Sequence, residues 1–246
     1  MLKDGFKEII MEHNKVCALI PARSGSKGLS NKNKLPFAGS TLTRIAIESA
    51  CQSKMIVDVA LSTDDNEIFD SSQSLPLITN PIRPAELSTD NASVIDVSLD
   101  FLETQQKLFG KTWEYLILLE PTSPLRTTKL LDDGISFFLQ STSEFDACVS
   151  VGELNFGIDS IFEMQGNRLF SLDSSANTLK RRQEQKVIYF PFGIFYLIKI
   201  ETLKKYRTFY PKNTLGYRLP YEVCIEVDTL HEFQFAELIY KNRGLE

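Results

Sequence analysis

Apolar residues fall into short unbroken runs separated by stretches with helical spacing. Val16 to Pro21 (VCALIP) is continuous, the pattern of a strand buried on both faces. Val57 to Leu61 and Tyr115 to Leu119 have the same character, and Ala147 to Val151 reads as a further strand. Between them, Thr41 to Ser53 places apolar residues at 42, 45, 46, 47 and 50, which predicts a helix. Ala92 to Leu108 and Thr128 to Leu139 are helical by the same reading. Ser62-Thr63-Asp64-Asp65 closes the second strand, and Asp64 or Thr63 can cap the helix that follows. A short strand is expected near Leu77, before the proline-punctuated loop from Asn80 to Asp90. Strands alternating with helices predict an α/β fold, a mostly parallel sheet between two helical layers.

After about residue 152 the rhythm changes. Residues 155–182 carry turn signals, Met164-Gln165-Gly166-Asn167 and Ser174-Ser175, and a basic cluster, Lys180-Arg181-Arg182. This stretch is expected to protrude as a hairpin or subdomain. Residues 187–200 return to strand, Cys224 to Val227 reads as a last strand, and Leu230 to Asn242 as a closing helix. Residues 1–14 are expected to be a short extra helix or arm. No internal repeat or low-complexity tract interrupts this order.

The 246 residues, 43% hydrophobic and 24% charged, fit a globular protein built as one large domain, with or without a small appendage. The net charge of -5 argues against a chain that wraps nucleic acid in a general basic field, though not against a local cationic pocket. Cys17, Cys51, Cys148 and Cys224 form no C-x-x-C pair, so reduced thiols are expected rather than a disulfide framework or zinc knuckle. Two histidines, His13 and His231, exclude a His-rich metal site. Met1 to Asn14 lacks the continuous apolar core of a signal peptide. The longest apolar stretch, Val187 to Ile198, is broken by Pro191 and Gly193 and is too short to span a bilayer. A cytoplasmic location without membrane partners is expected.

Ligands of open α/β sheets bind beyond the carboxyl ends of the strands, and three segments with chemistry fall there. The loop Ala22-Arg23-Ser24-Gly25-Ser26-Lys27-Gly28-Leu29-Ser30-Asn31-Lys32-Asn33 combines two glycines with Arg23, Lys27 and Lys32, which suits a polyphosphate. It has neither the Walker A nor the G-x-G-x-x-G spacing. A solvated flexible loop is the alternative. Glu226-Val227-Asp228 puts two carboxylates on one face of the expected strand, a pair that suits Mg²⁺ together with substrate phosphates. Taken alone, that pair is better read as edge-strand charge. Glu120-Pro121-Thr122-Ser123-Pro124-Leu125-Arg126 is a rigid turn with Glu120 at its strand end. Turn and cap roles for Thr122 and Ser123 are compatible with ligand contact.

These elements, in this order, resemble the CMP-sialic acid synthetases (acylneuraminate cytidylyltransferases) from Val16 to Leu238. The pieces that carry the resemblance are Ile20-Pro21-Ala22-Arg23 through Asn33, Leu61 to Asp65, Arg83-Pro84-Ala85-Glu86-Leu87-Ser88-Thr89-Asp90, Leu118 to Arg126, and Ile225 to Thr229. The resemblance implies a Rossmann-like three-layer fold in one cytidylyltransferase domain, with residues 152–190 as a dimerisation segment. It also implies a homodimer, Mg²⁺ dependence, and transfer of CMP from CTP to a 2-keto-3-deoxy sugar acid of the sialic, legionaminic or pseudaminic type. It further implies that Arg23, Lys27 and Lys32 hold the triphosphate. Ala22, Ser26, Gly28, Asn33 and Arg83 would complete the nucleotide site. Asp228 and Glu226 would bind the metal. Glu120, Pro121, Thr122, Ser123 and Arg182 would face the sugar.

The departures lie on the sugar side. Glu120 stands where the family usually has Gln. Phe190-Pro191-Phe192-Gly193 replaces an Arg-x-Asn-Gly run, and Leu154 to Ile158 lacks the family's His-Pro pair and lysine. An acceptor other than N-acetylneuraminate is therefore expected. A nucleotidyltransferase using another nucleotide or acceptor, and a non-catalytic nucleotide-binding scaffold, are the competing readings.

Overall fold

The structure is a computed structural model that describes residues 15–25, 28–172 and 186–243. Six strands form the central sheet: β1 (Val16–Pro21), β4 (Ile56–Ser62), β5 (Tyr115–Leu118), β6 (Ala147–Glu153), β9 (Tyr189–Lys199) and β10 (Thr214–Arg218). Their order is β10-β6-β9-β5-β1-β4. β4, β1 and β5 are mutually parallel, β10 is parallel to β6, and β9 runs antiparallel to both β5 and β6. The mostly parallel sheet predicted from sequence is thus observed, with one reversed strand.

β1 explains why the sheet has two covers. Val16, Ala18 and Ile20 join one core cluster with Ala46, Ile47 and Ala50 of α1 (Leu42–Cys51) and Leu131, Ile135 and Phe138 of α4 (Thr128–Leu139). Cys17 and Leu19 point the other way, to Phe101 and Leu102 of α3 (Val94–Phe109) and Leu203 of α5 (Ile200–Tyr206). Each fully buried leucine or isoleucine contributes about 1.5–3 kcal/mol to this sandwich. From β1 the chain passes through α1 to β4, then returns through α3 on the opposite face to β5, on the far side of β1. That reversal makes a switch point, and the carboxyl ends of β1, β4 and β5 open there.

Local signals set the helix starts. Thr41 Oγ1 accepts from the Arg44 N–H, Ser93 caps α3, and Thr127 Oγ1 accepts from the Leu130 N–H. α6 (Leu230–Asn242) opens with a capping box between Thr229 and Glu232. For α2 (Asn66–Ser72) the cap is Asp65, not Asp64 or Thr63. Asp64 is instead engaged with the loop after β1.

Two other expectations are corrected. Residues near Leu77 form no strand; the Ile78 N–H alone reaches the Val59 carbonyl, at 2.9 Å, because Pro76, Pro81 and Pro84 interrupt pairing. Residues 224–227 are not a strand either. A tight turn at Tyr221–Val223 leads into them, and the Val227 N–H bonds to the Thr122 carbonyl at 2.8 Å. β10 and α5 were not expected; each is short and weakly patterned.

The expected hairpin exists as β7 (Phe162–Gln165) and β8 (Arg168–Ser171), turning at Gly166 with φ of +61°. β6 ends at Glu153, and β9 begins at Tyr189, paired with it; of the residues between them, 173–185 lie outside those described. A separate short pair, β2 (Pro36–Phe37) and β3 (Ser40–Thr41), seats Phe37 against Phe233 and Tyr240 of α6.

Candidate functional site

A cleft of about 440 Å³ opens at the switch point. Its floor comes from the loop after β1. That loop is closed on itself and on its neighbours by side chains. Asn33 Nδ2 donates to the Arg23 carbonyl (3.0 Å), and Thr43 Oγ1 donates to the Asn33 carbonyl (3.0 Å). The Ser24 N–H and hydroxyl both donate to the Asp64 carboxylate, at 2.9 and 2.7 Å. The loop is thereby a fixed cradle rather than a solvated flap, at least over its described residues. Arg23 Nη1 meets Asp90 at 2.6 Å, which ties the cradle to the Arg83–Asp90 loop.

That second loop forms the opposite wall. Arg83 is buried, its Nε donating to Ser62 Oγ (3.0 Å) and its Nη2 to the Ser62 carbonyl, while its N–H donates to the Thr63 carbonyl (2.8 Å). Burial pushes the Arg83 guanidinium below its ordinary range. Leu87, Ala92, Val94 and Val97 line the cleft beside it and offer a planar ligand an apolar surface.

The third wall is the segment before α6. Glu232 of the capping box also accepts from the Asp228 N–H (2.9 Å), and the Leu29 N–H donates to the Asp228 carbonyl (2.8 Å). Asp228 is held by both of its backbone groups. Lys32 Nζ bonds to its carboxylate at 2.5 Å and to the Val227 carbonyl at 3.0 Å. Gly28 is required here: a Cβ at this position would overlap the Asp228 carbonyl oxygen. The cradle and the acidic segment therefore touch backbone to backbone.

Glu120 and Glu226 complete the site from the sheet side. β9 breaks its register against β6 opposite Val149 and Val151, and Ser150 Oγ fills the irregularity by bonding to the carbonyls of Phe192 (2.6 Å) and Phe195 (2.9 Å). At this break the Gly193 N–H donates to Glu226 Oε1, and the Glu120 N–H donates to the Gly193 carbonyl (3.2 Å). A Cβ on residue 193 would overlap the Glu120 carboxylate. Burial and the neighbouring Glu226 push the Glu120 carboxyl up to about 7. Burial raises Glu226 as well, opposed by the Gly193 N–H.

The structure thus gathers Arg23, Gly28, Lys32, Asn33, Arg83, Glu120, Pro121, Thr122, Glu226 and Asp228 around one cleft. Glu226 and Asp228 arrive there from an irregular segment, not from the strand geometry that the sequence suggested. Ala22 is buried and its N–H is taken by the Ser62 carbonyl at 2.9 Å. Ser123 is fully buried and lies beside Glu226 rather than in the wall. Ser26, Lys27 and Arg182 lie outside the described residues. Sequence reasoning missed Asp64, Asp90, Ser150 and Arg126 as supports of the site. Arg126 had a readable signal, a lone arginine ending an apolar proline turn.

Among the described residues no group of three or more histidine, cysteine or acidic side chains could hold a metal by protein ligands alone. Two carboxylates facing one cleft still fit Mg²⁺, which takes only one or two of them beside phosphate oxygens and water.

A cleft with a cationic cradle, an apolar wall and an acidic pair, set at the switch point of the sheet, is where an open α/β protein binds its ligand. The chain belongs to the cytidylyltransferase family, whose model matches residues 17–241. It is 31% identical over 222 residues to the N-acylneuraminate cytidylyltransferase of Streptococcus agalactiae serotype III, covering 89% of this chain and 52% of that protein. The chain therefore spans about half the length of that relative. It is 26% identical over 226 residues to the pseudaminic acid cytidylyltransferase of Campylobacter jejuni, covering 91% of this chain and 95% of that one. The fold is shared with CMP:2-keto-3-deoxy-manno-octonic acid synthetase, solved with CTP, at a TM-score of 0.67 and 16% identity, over 94% of this chain and all of the other.

Two predictions follow from the geometry. Gly28→Ala forces the cradle away from Asp228 and pulls the Leu29 N–H off the Asp228 carbonyl. Hydrogen–deuterium exchange should show the Leu29 amide less protected than in wild type, and equal protection would contradict the contact. The second concerns Glu120, whose folded pKa of about 7 lies above its ordinary 4.5. Its contribution to stability is full below the unfolded value and is lost as pH rises through about 7. Urea unfolding in metal-free buffer should show wild type losing stability from pH 5 to 8 more steeply than Glu120→Gln. Equal slopes would contradict the assignment.

Proposed function

We propose that the protein transfers CMP from CTP to the anomeric hydroxyl of a sialic-type 2-keto-3-deoxy sugar acid, releasing pyrophosphate. The observation that carries this is the convergence of Arg23, Lys32, Glu226 and Asp228 on one switch-point cleft. The names of the two sialic-type relatives support the acceptor class.

The base and ribose lie along the wall of Arg83, Leu87 and Val94. Arg23, Lys32 and the expected Lys27 bind the β- and γ-phosphates and stabilise the leaving pyrophosphate. Glu226 and Asp228 would hold Mg²⁺, which supplies neutralisation of phosphate oxygens. Lys32 is paired with Asp228, so a phosphate oxygen that takes up Lys32 exchanges one ion pair for another rather than burying a bare charge. The reaction is an in-line displacement at the α-phosphate, driven by positioning and electrostatics. Glu120, Pro121 and Thr122 face the acceptor side. Phe190 is half-exposed and packs edge-on against Phe192 at 5.5 Å between centroids, and neither ring lines the cleft.

Calorimetric titration with Mg²⁺ should show CTP binding and little UTP binding. Asp228→Ala and Lys32→Ala should each lower pyrophosphate release by about 100-fold, the loss expected for one preorganised contact. In a panel of eight- and nine-carbon keto acids, N-acetylneuraminate should not be the best acceptor by kcat/KM. Failure to bind either nucleotide would replace transfer with a scaffold role.

The hairpin supports a homodimer. Phe162, Met164 and Leu169 share one face of β7–β8, are 44%, 69% and 61% exposed, and oppose a polar face where Arg168 lies over the Phe170 ring. A two-stranded hairpin needs a partner surface to be stable. Met164→Asp with Leu169→Asp should yield a monomer in sedimentation equilibrium, where wild type is dimeric. No helix among the described residues is long and apolar enough to cross a membrane. All four cysteines are free thiols, which supports a reducing, cytoplasmic setting.

A further inference from the structure

Arg126 closes the turn that begins at Glu120 and is 3% exposed. Its guanidinium donates to three backbone carbonyls: Ile194 through Nε at 2.6 Å, and Glu120 and Gly193 through Nη2, each at 2.7 Å. Its Nη1 has no hydrogen-bond partner among the described residues. The carboxylates that act on it are Glu120 and Glu226. A buried guanidinium is costly without nearby negative charge, and two half-buried carboxylates on either side of one glycine are costly without a cation.

We propose that Arg126 is the positioning residue for both site carboxylates. From behind the cleft it grips the break in β9, fixes the Gly193 peptide whose N–H holds Glu226, and supplies the counter-charge that lets Glu120 and Glu226 stand together. The grip is geometric as well as electrostatic. The three accepted hydrogen bonds come from one planar fork, and a lysine cannot reproduce that spread. Arg126 does not line the cleft, so its effect reaches the reaction only through the two acids.

A purely structural brace and a positioning residue differ in two measurable ways. The first is charge coupling. Arg126→Met should lower the melting temperature by roughly 10 °C in metal-free buffer at pH 8, because it leaves two acids without a counter-ion. Adding Glu120→Gln should restore at least half of that loss. An additive double variant would overturn the proposal, since a brace on carbonyls is indifferent to the charge of Glu120. The second is a split in kinetics, read on Arg126→Lys, which keeps the charge and protects against failure to fold. Its kcat should fall at least about tenfold while KM for CTP stays within about threefold, because the fork and not the nucleotide cradle is lost. An unchanged kcat, or equal changes in both constants, would overturn the proposal.

The kinetic arm rests on the proposed transfer reaction and uses the best acceptor of the keto-acid panel. The melting arm needs no substrate. If no acceptor is turned over, the transfer reading fails while the thermal cycle still decides the role of Arg126.

Discussion

Much of the site follows from the need to keep two carboxylates, Glu120 and Glu226, on either side of the Gly193 peptide. Like charges in a half-buried place repel, and burial raises both acids. The protein answers with backbone. β9 abandons regular pairing so that the Gly193 N–H faces Glu226 and its carbonyl faces the Glu120 N–H. A broken strand leaves polar groups to satisfy, and Ser150 and Arg126 take them. Residue 193 must be glycine because the Glu120 carboxylate occupies the space of a side chain. An unusual strand, a buried arginine and an obligatory glycine thus share one cause.

The cradle side is built by a complementary rule, in which Arg23 and Lys32 are each held by an acid. Arg23 pairs with Asp90 and Lys32 with Asp228. The pairs fix the cations and reduce mutual repulsion within the cradle. They also link elements far apart in sequence: the loop after β1, the Arg83–Asp90 loop and the start of α6. Gly28 makes the last link a contact between backbones, so a shift in the cradle is transmitted to Asp228.

The parts legible in the sequence were those that depend on local patterning. β1 declared itself because five successive residues from Val16 have no exposure, which forces apolar side chains on both faces. The cationic cradle could be placed because it directly follows that strand. The segment carrying Glu226 and Asp228 was read as a strand from its apolar neighbours, Ile225 and Val227. Those residues are apolar because they pack on the core beside Phe37 and Tyr240, a tertiary reason that imitates period-two alternation. The carboxylates of Glu226 and Asp228 reach the same cleft all the same, since Thr122 and Leu29 fix the backbone of Val227 and Asp228. Asp64 looked like a cap because it precedes a helix, yet its neighbour Asp65 is the better-placed acceptor, which frees Asp64 for the cradle.

What stayed hidden was long-range. No local rule connects Ser150 to a strand break more than forty residues later, or Arg126 to Ile194, because neither contact leaves a periodic trace. Position 120 shows the consequence for the cleft. Position 120 carries an acid, and an acid there needs Arg126 behind it and Gly193 beside it. The local environment of Glu120 therefore belongs to a coupled set of three residues rather than to one exchangeable side chain. Replacing Glu120 by a neutral amide keeps the shape and removes the charge, which relieves the crowding with Glu226 but leaves Arg126 with one fewer counter-ion. The chemistry of the cleft at position 120 and the stability of the fold behind it are tied together, and a change made for one is felt by the other.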